Sequence, residues 1–264
     1  MTDLLRAPSV FLPSAERIRR TPRPARAWML LVSSGLAVCG GAMVMLLAAA
    51  LTLFRARGLY RWMARGVSRG ILRLYGIRIR VHGAHTLPAA QTVYVSNHTS
   101  TLDLFVLVAL GLPACRFFLS GFLRKVVPLG IISWLLGTFF TVPQNRPQER
   151  VRIFQRAERV LRRMGESVYL SPEGGRVTTG EIGHFNKGAF HLATNLRAPI
   201  VPFYIRIPAE VDPRLGFDAR AGVVDVFFLP AIDTRGWTLA DLHHNTAYVR
   251  RVLTRAHQEL SCAP

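Results

Sequence analysis

The spacing of apolar and polar positions divides the chain into three stretches. Residues 1–27 are rich in proline and arginine and show no apolar period, which predicts a disordered basic N-terminus. Residues 28–54, WMLLVSSGLAVCGGAMVMLLAAALTLF, carry no charge. A run of ~20 apolar residues suffices to span a bilayer, and the apolar region of a cleaved signal peptide is shorter, ~7–15 residues. Arginine flanks the run on both sides (Arg17, Arg19, Arg20, Arg23 and Arg26; then Arg55, Arg57, Arg61 and Arg65), so charge does not orient a single span. A re-entrant hairpin broken at Gly40–Gly41 would put both flanks on one face. Each arm would then be too short to cross at ~1.5 Å per residue. A single span or deep insertion is expected instead.

The next residues carry two stripes. Arg57, Arg61, Arg65, Arg69 and Arg73 recur at every fourth position, and so do Leu59, Met63, Val67, Ile71 and Tyr75. On a helix the stripes wind together on opposite sides. Residues 28–75 therefore read as a membrane anchor followed by an amphipathic helix. The cationic face of that helix would meet anionic lipid in the interface. A helix packed on its own domain, with a solvated basic face, is the competing expectation.

From residue 76 onward β-rich runs alternate with helical ones. Strands are expected at 77–83, 92–96, 168–171, 200–207 and 223–229. Helices are expected at 101–111, 151–167, 186–196 and 238–260, the second with Val151, Ile153, Phe154, Ala157, Val160, Leu161 and Met164 as its apolar face. The fold class is α/β: a mixed, largely parallel sheet flanked by helices, preceded by the anchoring segment, with residues 76–264 as one catalytic domain. Residues 126–142, with Trp134, Phe139 and Phe140, read as core or as a wall against lipid.

The chain has a formal net charge of +19, almost all of it arginine, with lysine only at Lys125 and Lys187. Such a balance calls for an anionic partner. A nucleic-acid binder would explain the charge but not the apolar 27-mer, and no aromatic–basic interleaving supports it. The cysteines, Cys39, Cys115 and Cys262, are far apart and form no metal-ligand pattern. They suggest reduced thiols facing the cytosol, and no metal is expected.

Chemistry concentrates at strand ends. In SNHTSTLD, residues 96–103, the strand gives way to a helix expected to start at Thr99–Thr101. His98 would lie in the turn and Asp103 in the first helical turn, close enough for the carboxylate to fix the imidazole tautomer. The other ring nitrogen would face a substrate as general base. SPEGGRV, residues 171–177, follows another strand, with Glu173 and Arg176 projecting from a glycine turn. Ligand sites of α/β sheets gather at that edge. FNKGAFHLA (185–193) and APIVPFYI (198–205) follow.

The order N-H-x4-D, P-E-G-x-R, F-x-K-G-A, A-P-I-V-P resembles the glycerolipid acyltransferase family, whose typical members are 1-acyl-glycerol-3-phosphate acyltransferases. The resemblance runs from about residue 76 to 207. It implies that His98 deprotonates the acceptor hydroxyl and Asp103 orients His98. It implies acyl-CoA or acyl-acyl-carrier protein as co-substrate, a lysolipid acceptor, and no cofactor. It also implies acceptor binding by Glu173, Gly174, Gly175 and Arg176, with Arg176 on an anionic headgroup. Amides of Gly174 and Gly175 are candidates for the oxyanion, and Lys187 for the donor's phosphates. The site would work at a membrane, on the cytoplasmic face of the inner or plasma membrane in a bacterium. Two features depart from the family: Ser171, Gly175 and Val177 replace its usual Phe, Thr and Ser, and Val142 and Pro143 stand where it carries Asp-Arg. Arg146 either matches a later arginine or stands in for the missing one. 1-Acyl-glycerol-3-phosphate is the expected acceptor, with lyso-ornithine lipid or another lysophospholipid left open. Hydrolysis by water, and a non-catalytic membrane-binding protein, are the readings of other classes.

Overall fold

The computed structural model describes residues 24–84, 87–213 and 219–261. Of the N-terminus expected to be disordered, residues 1–23 lie outside the described residues, as does the environment of Cys262, but residues 24–27 are helical and extend the apolar run that follows them.

The uncharged run forms one helix, α1 (Pro24–Leu51), unbroken at Gly40–Gly41 and about 42 Å long at 1.5 Å per residue. A turn at Thr52–Phe54 leads to α2 (Arg57–Leu74), and the two helices pack antiparallel. Thr52 Oγ1 lies 2.5 Å from the Tyr60 hydroxyl near the turn, and Ser34 Oγ donates to the Tyr75 hydroxyl at 3.4 Å at the far end. Between them Gly41 lets Val67 approach α1 closely. The buried face of α1 is a stripe of Leu30, Val38, Ala42 and Met45 that packs against α2 and the helix at Val127–Leu135, whereas Trp28, Leu36, Met43, Leu47 and Leu51 are exposed.

 Ala49, fully buried, closes that stripe beside the turn.

The packing face of α2 is centred on Tyr60, Ala64, Ser68, Ile71 and Leu72; of the predicted apolar stripe Ile71 and Tyr75 are buried, Met63 and Val67 are half-buried against the core, and Leu59 is 40% exposed. The arginine stripe is corrected accordingly, because residues three and four apart share a helix face and Arg57, Arg61 and Arg65 flank the packed face. Arg57 and Arg61 reach Glu166 at 3.7 and 2.9 Å. Arg65 and Arg69 donate through Nε to the Ala109 carbonyl at 3.1 and 3.2 Å. The stripe thus docks α2 on its own domain over most of its length.

Seven strands form one sheet. They are β1 (Ile77–His82), β2 (Val93–Ser96), β3 (Cys115–Ser120), β4 (Phe139–Thr141), β5 (Ser167–Tyr169), β6 (Ile200–Arg206) and β7 (Gly222–Phe228), in spatial order β1-β7-β6-β2-β5-β3-β4. All pairings are parallel except β6 with β7, so the sheet is mixed and largely parallel, as expected. The helices are α3 (Asp103–Leu110), α4 (Val127–Leu135), α5 (Pro147–Met164), α6 (Gly188–Leu196) and α7 (Leu242–Ser261). Alternate strand residues face opposite sides. Tyr94, Phe117, Tyr169 and Phe203 join α2, α3 and α4 in one core, and Val93, Phe118, Val168 and Ile200 join α5, α6 and α7 in the other.

Several boundaries differ from expectation. The stretch read as core or lipid wall is α4 and β4, and β3 before it was not anticipated. Helix α3 starts at Asp103 rather than Thr99–Thr101, with Leu102 at the N-cap and no side-chain cap bond. Helix α5 starts four residues early on Pro147, whose fixed φ suits a first helical position, and stops at Gly165 in the left-handed conformation. Val151 and Met164, expected on its apolar face, are 54% and 50% exposed.

Candidate active site

The turns after β2 and β5 lie side by side because these strands are parallel neighbours. Each carries one of the polar clusters, and the backbone joins them: the Val177 amide donates to the His98 carbonyl at 2.8 Å. Asn97, the residue before the histidine, is 2% exposed. Its side chain continues the β2–β6 ladder, donating from Nδ2 to the Ile205 carbonyl at 3.0 Å and accepting from the Ile205 amide at 2.8 Å.

His98 Nδ1 lies 2.7 Å from Asp103 Oδ2. The same oxygen accepts the Thr99 and Ser100 amides at 2.9 and 3.0 Å. Asp103 is 1% exposed and opens α3, where the helix dipole also favours negative charge. An ionised carboxylate accepts only, so Nδ1 carries the proton and Nε2 is left basic. The His98 side chain is 35% exposed and lines the cavity.

Glu173 does not face that cavity. It is buried, with Oε2 accepting the His98 amide at 2.7 Å and Oε1 the Gly183 amide at 2.8 Å. Burial pushes its carboxyl up from the ordinary range, against the pull of those two amides. Gly174 holds a φ of 70° that favours glycine, and its amide is committed to the Ser171 carbonyl at 3.2 Å. Asn186 braces the turn from outside, donating from Nδ2 to the carbonyls of Pro172 and Glu173, both at 3.1 Å. Tyr169 lines the cavity too, its hydroxyl 3.0 Å from Ser96 Oγ, and burial raises its phenol so that it stays protonated.

The cavity has a volume of about 980 Å³. Leu104, Leu107, Phe118, Leu119, Phe122 and Phe154 give it an apolar wall. Of the residues singled out from the sequence, His98, Asp103, Gly174, Gly175, Arg176 and Arg146 line it. Glu173 lies behind the wall, and Lys187 is exposed at the N-cap of α6, outside the lining. Three lining cations were missed: Arg124 and Lys125, on the 3₁₀ turn Gly121–Lys125, and Arg150 of α5. Arg124 lies over the Phe140 ring at 5.5 Å, and Arg150 donates to the Val142 carbonyl at 3.3 Å. The signal for Arg150 was its half-turn displacement from the other α5 arginines, which only the early helix start makes visible. Among the described residues no group of His, Cys, Asp and Glu is arranged to hold a metal ion.

An acyltransferase family model matches residues 78–206, from β1 through β6 and across every residue of this site. The chain is 31% identical to human 1-acyl-sn-glycerol-3-phosphate acyltransferase alpha over 189 residues, covering 71% of this chain and 66% of that protein. It is 29% identical to the 1-acyl-sn-glycerol-3-phosphate acyltransferase of Saccharomyces cerevisiae, covering 89% of this chain and 78% of that one. The chain thus spans just under two thirds of the length of the human alpha enzyme. The crystal structure of the 1-acyl-sn-glycerophosphate acyltransferase PlsC from Thermotoga maritima has the same fold, with a TM-score of 0.76 at 19% identity over 91% of this chain and 96% of that one. The matched segment contains the His98–Asp103 pair and both strand-end turns, and with these relatives it places the chain in the glycerolipid acyltransferase family.

Proposed function

We propose that this protein is an O-acyltransferase that moves a fatty acyl chain from a thioester, acyl-CoA or acyl-acyl-carrier protein, to the hydroxyl of a lysolipid, with 1-acyl-glycerol-3-phosphate as acceptor and phosphatidate as product. The observation that carries it is the His98–Asp103 pair, 2.7 Å apart, on the wall of a cavity lined by both apolar and cationic side chains. The acceptor hydroxyl gives its proton to His98 Nε2 as its oxygen attacks the thioester carbonyl. The C–O bond forms, the C–S bond breaks, and the imidazolium returns the proton to the departing thiolate. Asp103 holds the tautomer throughout and stabilises the imidazolium. The Gly175 amide is the candidate donor to the oxyanion, since that of Gly174 is already used. Arg146, Arg150 and Arg176 are candidate partners for the acceptor phosphate, pairs of whose oxygens match the guanidinium fork. The cavity keeps these cations although Val142 and Pro143 line it where the family carries an acidic–basic pair.

The reading places the protein on a membrane, where its acceptor lies. Support comes from the exposed apolar face of α1, which continues through Phe54 to the exposed Trp134 of α4, their rings 5.6 Å apart. Phe122 and Val127, each 66% exposed, extend that surface, and Phe122 also lines the cavity. Acyl chains would then pass between bilayer and cavity beside Phe122.

The test is acyl transfer by purified protein to lysophosphatidate, lyso-ornithine lipid and neutral lysophospholipids, with His98→Ala beside wild type. Transfer to lysophosphatidate that His98→Ala abolishes, with vesicle binding intact, is the expected result. Transfer only to a phosphate-free acceptor would reassign the substrate. Equal rates in wild type and variant would overturn the reaction.

A further inference from the structure

We propose that the groove between α1 and α2 is a second lipid site, holding one anionic phospholipid of the surrounding bilayer. The proposal rests on the membrane-bound reading above but not on the chemistry. The groove has a volume of about 510 Å³ and shares no residue with the catalytic cavity. Val44 and Met45 of α1 and Met63 and Val67 of α2 give it an apolar lining. It is hollow because Gly40 contributes no side chain there: a Cβ at that position would meet no atom within 4 Å.

Three arginines, Arg65, Arg69 and Arg73, line the same groove. Among the described residues none of them has a carboxylate within the 4.0 Å of an ion pair, whereas their stripe-mates Arg57 and Arg61 share Glu166. The Nε bonds of Arg65 and Arg69 to the Ala109 carbonyl fix two of the guanidinium groups. Their terminal nitrogens remain for another acceptor. Protonation of Arg69 is made harder, first by burial and then by the charges of Arg65 and Arg73. A phosphodiester would relieve that repulsion, and guanidinium forks match its oxygens. The apolar lining then takes an acyl chain of the same molecule. The occupant bears on the active site through α3, since Arg65 and Arg69 hold the carbonyl end of the helix whose first residue is Asp103.

The experiment places the full chain in phosphatidylcholine bilayers containing a little phosphatidylglycerol with a photoactivatable diazirine in its acyl chain, and maps the adducts. They are expected within residues 40–45 and 62–67. Unlabelled phosphatidylglycerol should compete at least about fivefold better than phosphatidylcholine, the factor expected for one arginine at a membrane surface. Gly40→Leu, which fills the groove without changing charge, should remove the adducts while the protein still floats with vesicles. Arg69→Gln with Arg73→Gln should remove the preference for the anionic competitor. Absence of competable adducts from residues 40–45 and 62–67, or adducts there that Gly40→Leu leaves unchanged, would overturn the site. Stronger competition by phosphatidate than by phosphatidylglycerol would assign the groove to reaction product and overturn the bilayer source. A protein that floats with no vesicle fails the membrane reading itself, which flotation reports before any light is applied.

Discussion

Asp103 combines three roles in one oxygen: it accepts the proton-bearing nitrogen of His98 and the amides of Thr99 and Ser100. Asp103→Asn can keep these three bonds only by setting its amide oxygen in the place of Oδ2, which buries the NH2 where Oδ1 now lies without a partner and removes the charge that stabilises the imidazolium. The flipped amide would impose the wrong imidazole tautomer, so in either orientation kcat should fall by about 10³–10⁴. Steady-state kinetics checks this, and a fall of less than tenfold would remove Asp103 from its role. Glu173 acts one step further out, on the backbone of His98 rather than its ring. Glu173→Gln should lower kcat with little change in KM for the acceptor, because the carboxylate touches the histidine's amide and not the cavity. Its carboxyl is raised by burial, so the folded chain binds that proton more tightly than the unfolded chain. Its contribution to stability is therefore fully present below the ordinary glutamate range and is lost as pH rises through the raised value. Wild type should gain stability on Glu173→Gln as pH is lowered from neutrality through that window. Thermal midpoints at several pH values measure it, and a constant difference would refute the assignment. The His98–Asp103 pairing was legible because spacing and residue type suffice for it. The place of Glu173 was not, because a glutamate in a glycine turn reads as projecting until the fold shows two amides aimed at it.

Glu166 joins the hairpin to the sheet. It lies at the end of α5 beside β5 and meets Arg57, Arg61 and the buried Arg116, whose Nε is 2.5 Å away. Breaking a buried ion pair leaves an uncompensated charge, at about 3–5 kcal/mol. Glu166→Gln should therefore destabilise the protein by an amount of that order, a fall of roughly 6–20 °C in thermal midpoint for a chain of this size. Replacing Arg57, more exposed, should cost far less. At this scale the sequence was informative where a period was strong: β1, β2, β6 and β7 and helices α3, α6 and α7 fall close to where the pattern puts them. It failed on β3, α4 and β4, where Cys115 to Thr141 is mostly apolar and offers neither period. It also misplaced the face of α2, since arginine at every fourth position reads as solvated although a buried glutamate and a helix C-terminus attract the same side chains.

For the whole molecule, the hairpin decides how the protein meets a bilayer. Helix α1 is long and apolar enough to cross a membrane. Yet its residues from Ser34 onward run along the whole of α2, from Thr52–Tyr60 to Ser34–Tyr75. Helix α2 is in turn fixed to α3 and, through Glu166, to the sheet. An upright α1 would carry α2, with its arginines, and the docked end of α3 into hydrocarbon, where each charge costs at least ~2.5 kcal/mol. Lying within one leaflet, α1 buries its exposed face while the arginines of α2 stay at headgroup depth. Both ends of α1 should then be on the same side of the membrane. The check uses maleimide labelling of sealed proteoliposomes, with Trp28→Cys and Leu59→Cys introduced singly after Cys39, Cys115 and Cys262 are replaced by serine. Both positions are exposed on the protein surface, at 66% and 40%. An impermeant reagent should reach both from one side, or neither, according to how the protein was reconstituted. Restored Cys39, exposed near the middle of α1, should stay protected from it. Labelling of positions 28 and 59 from opposite sides would establish a true span and require the hairpin to open on insertion.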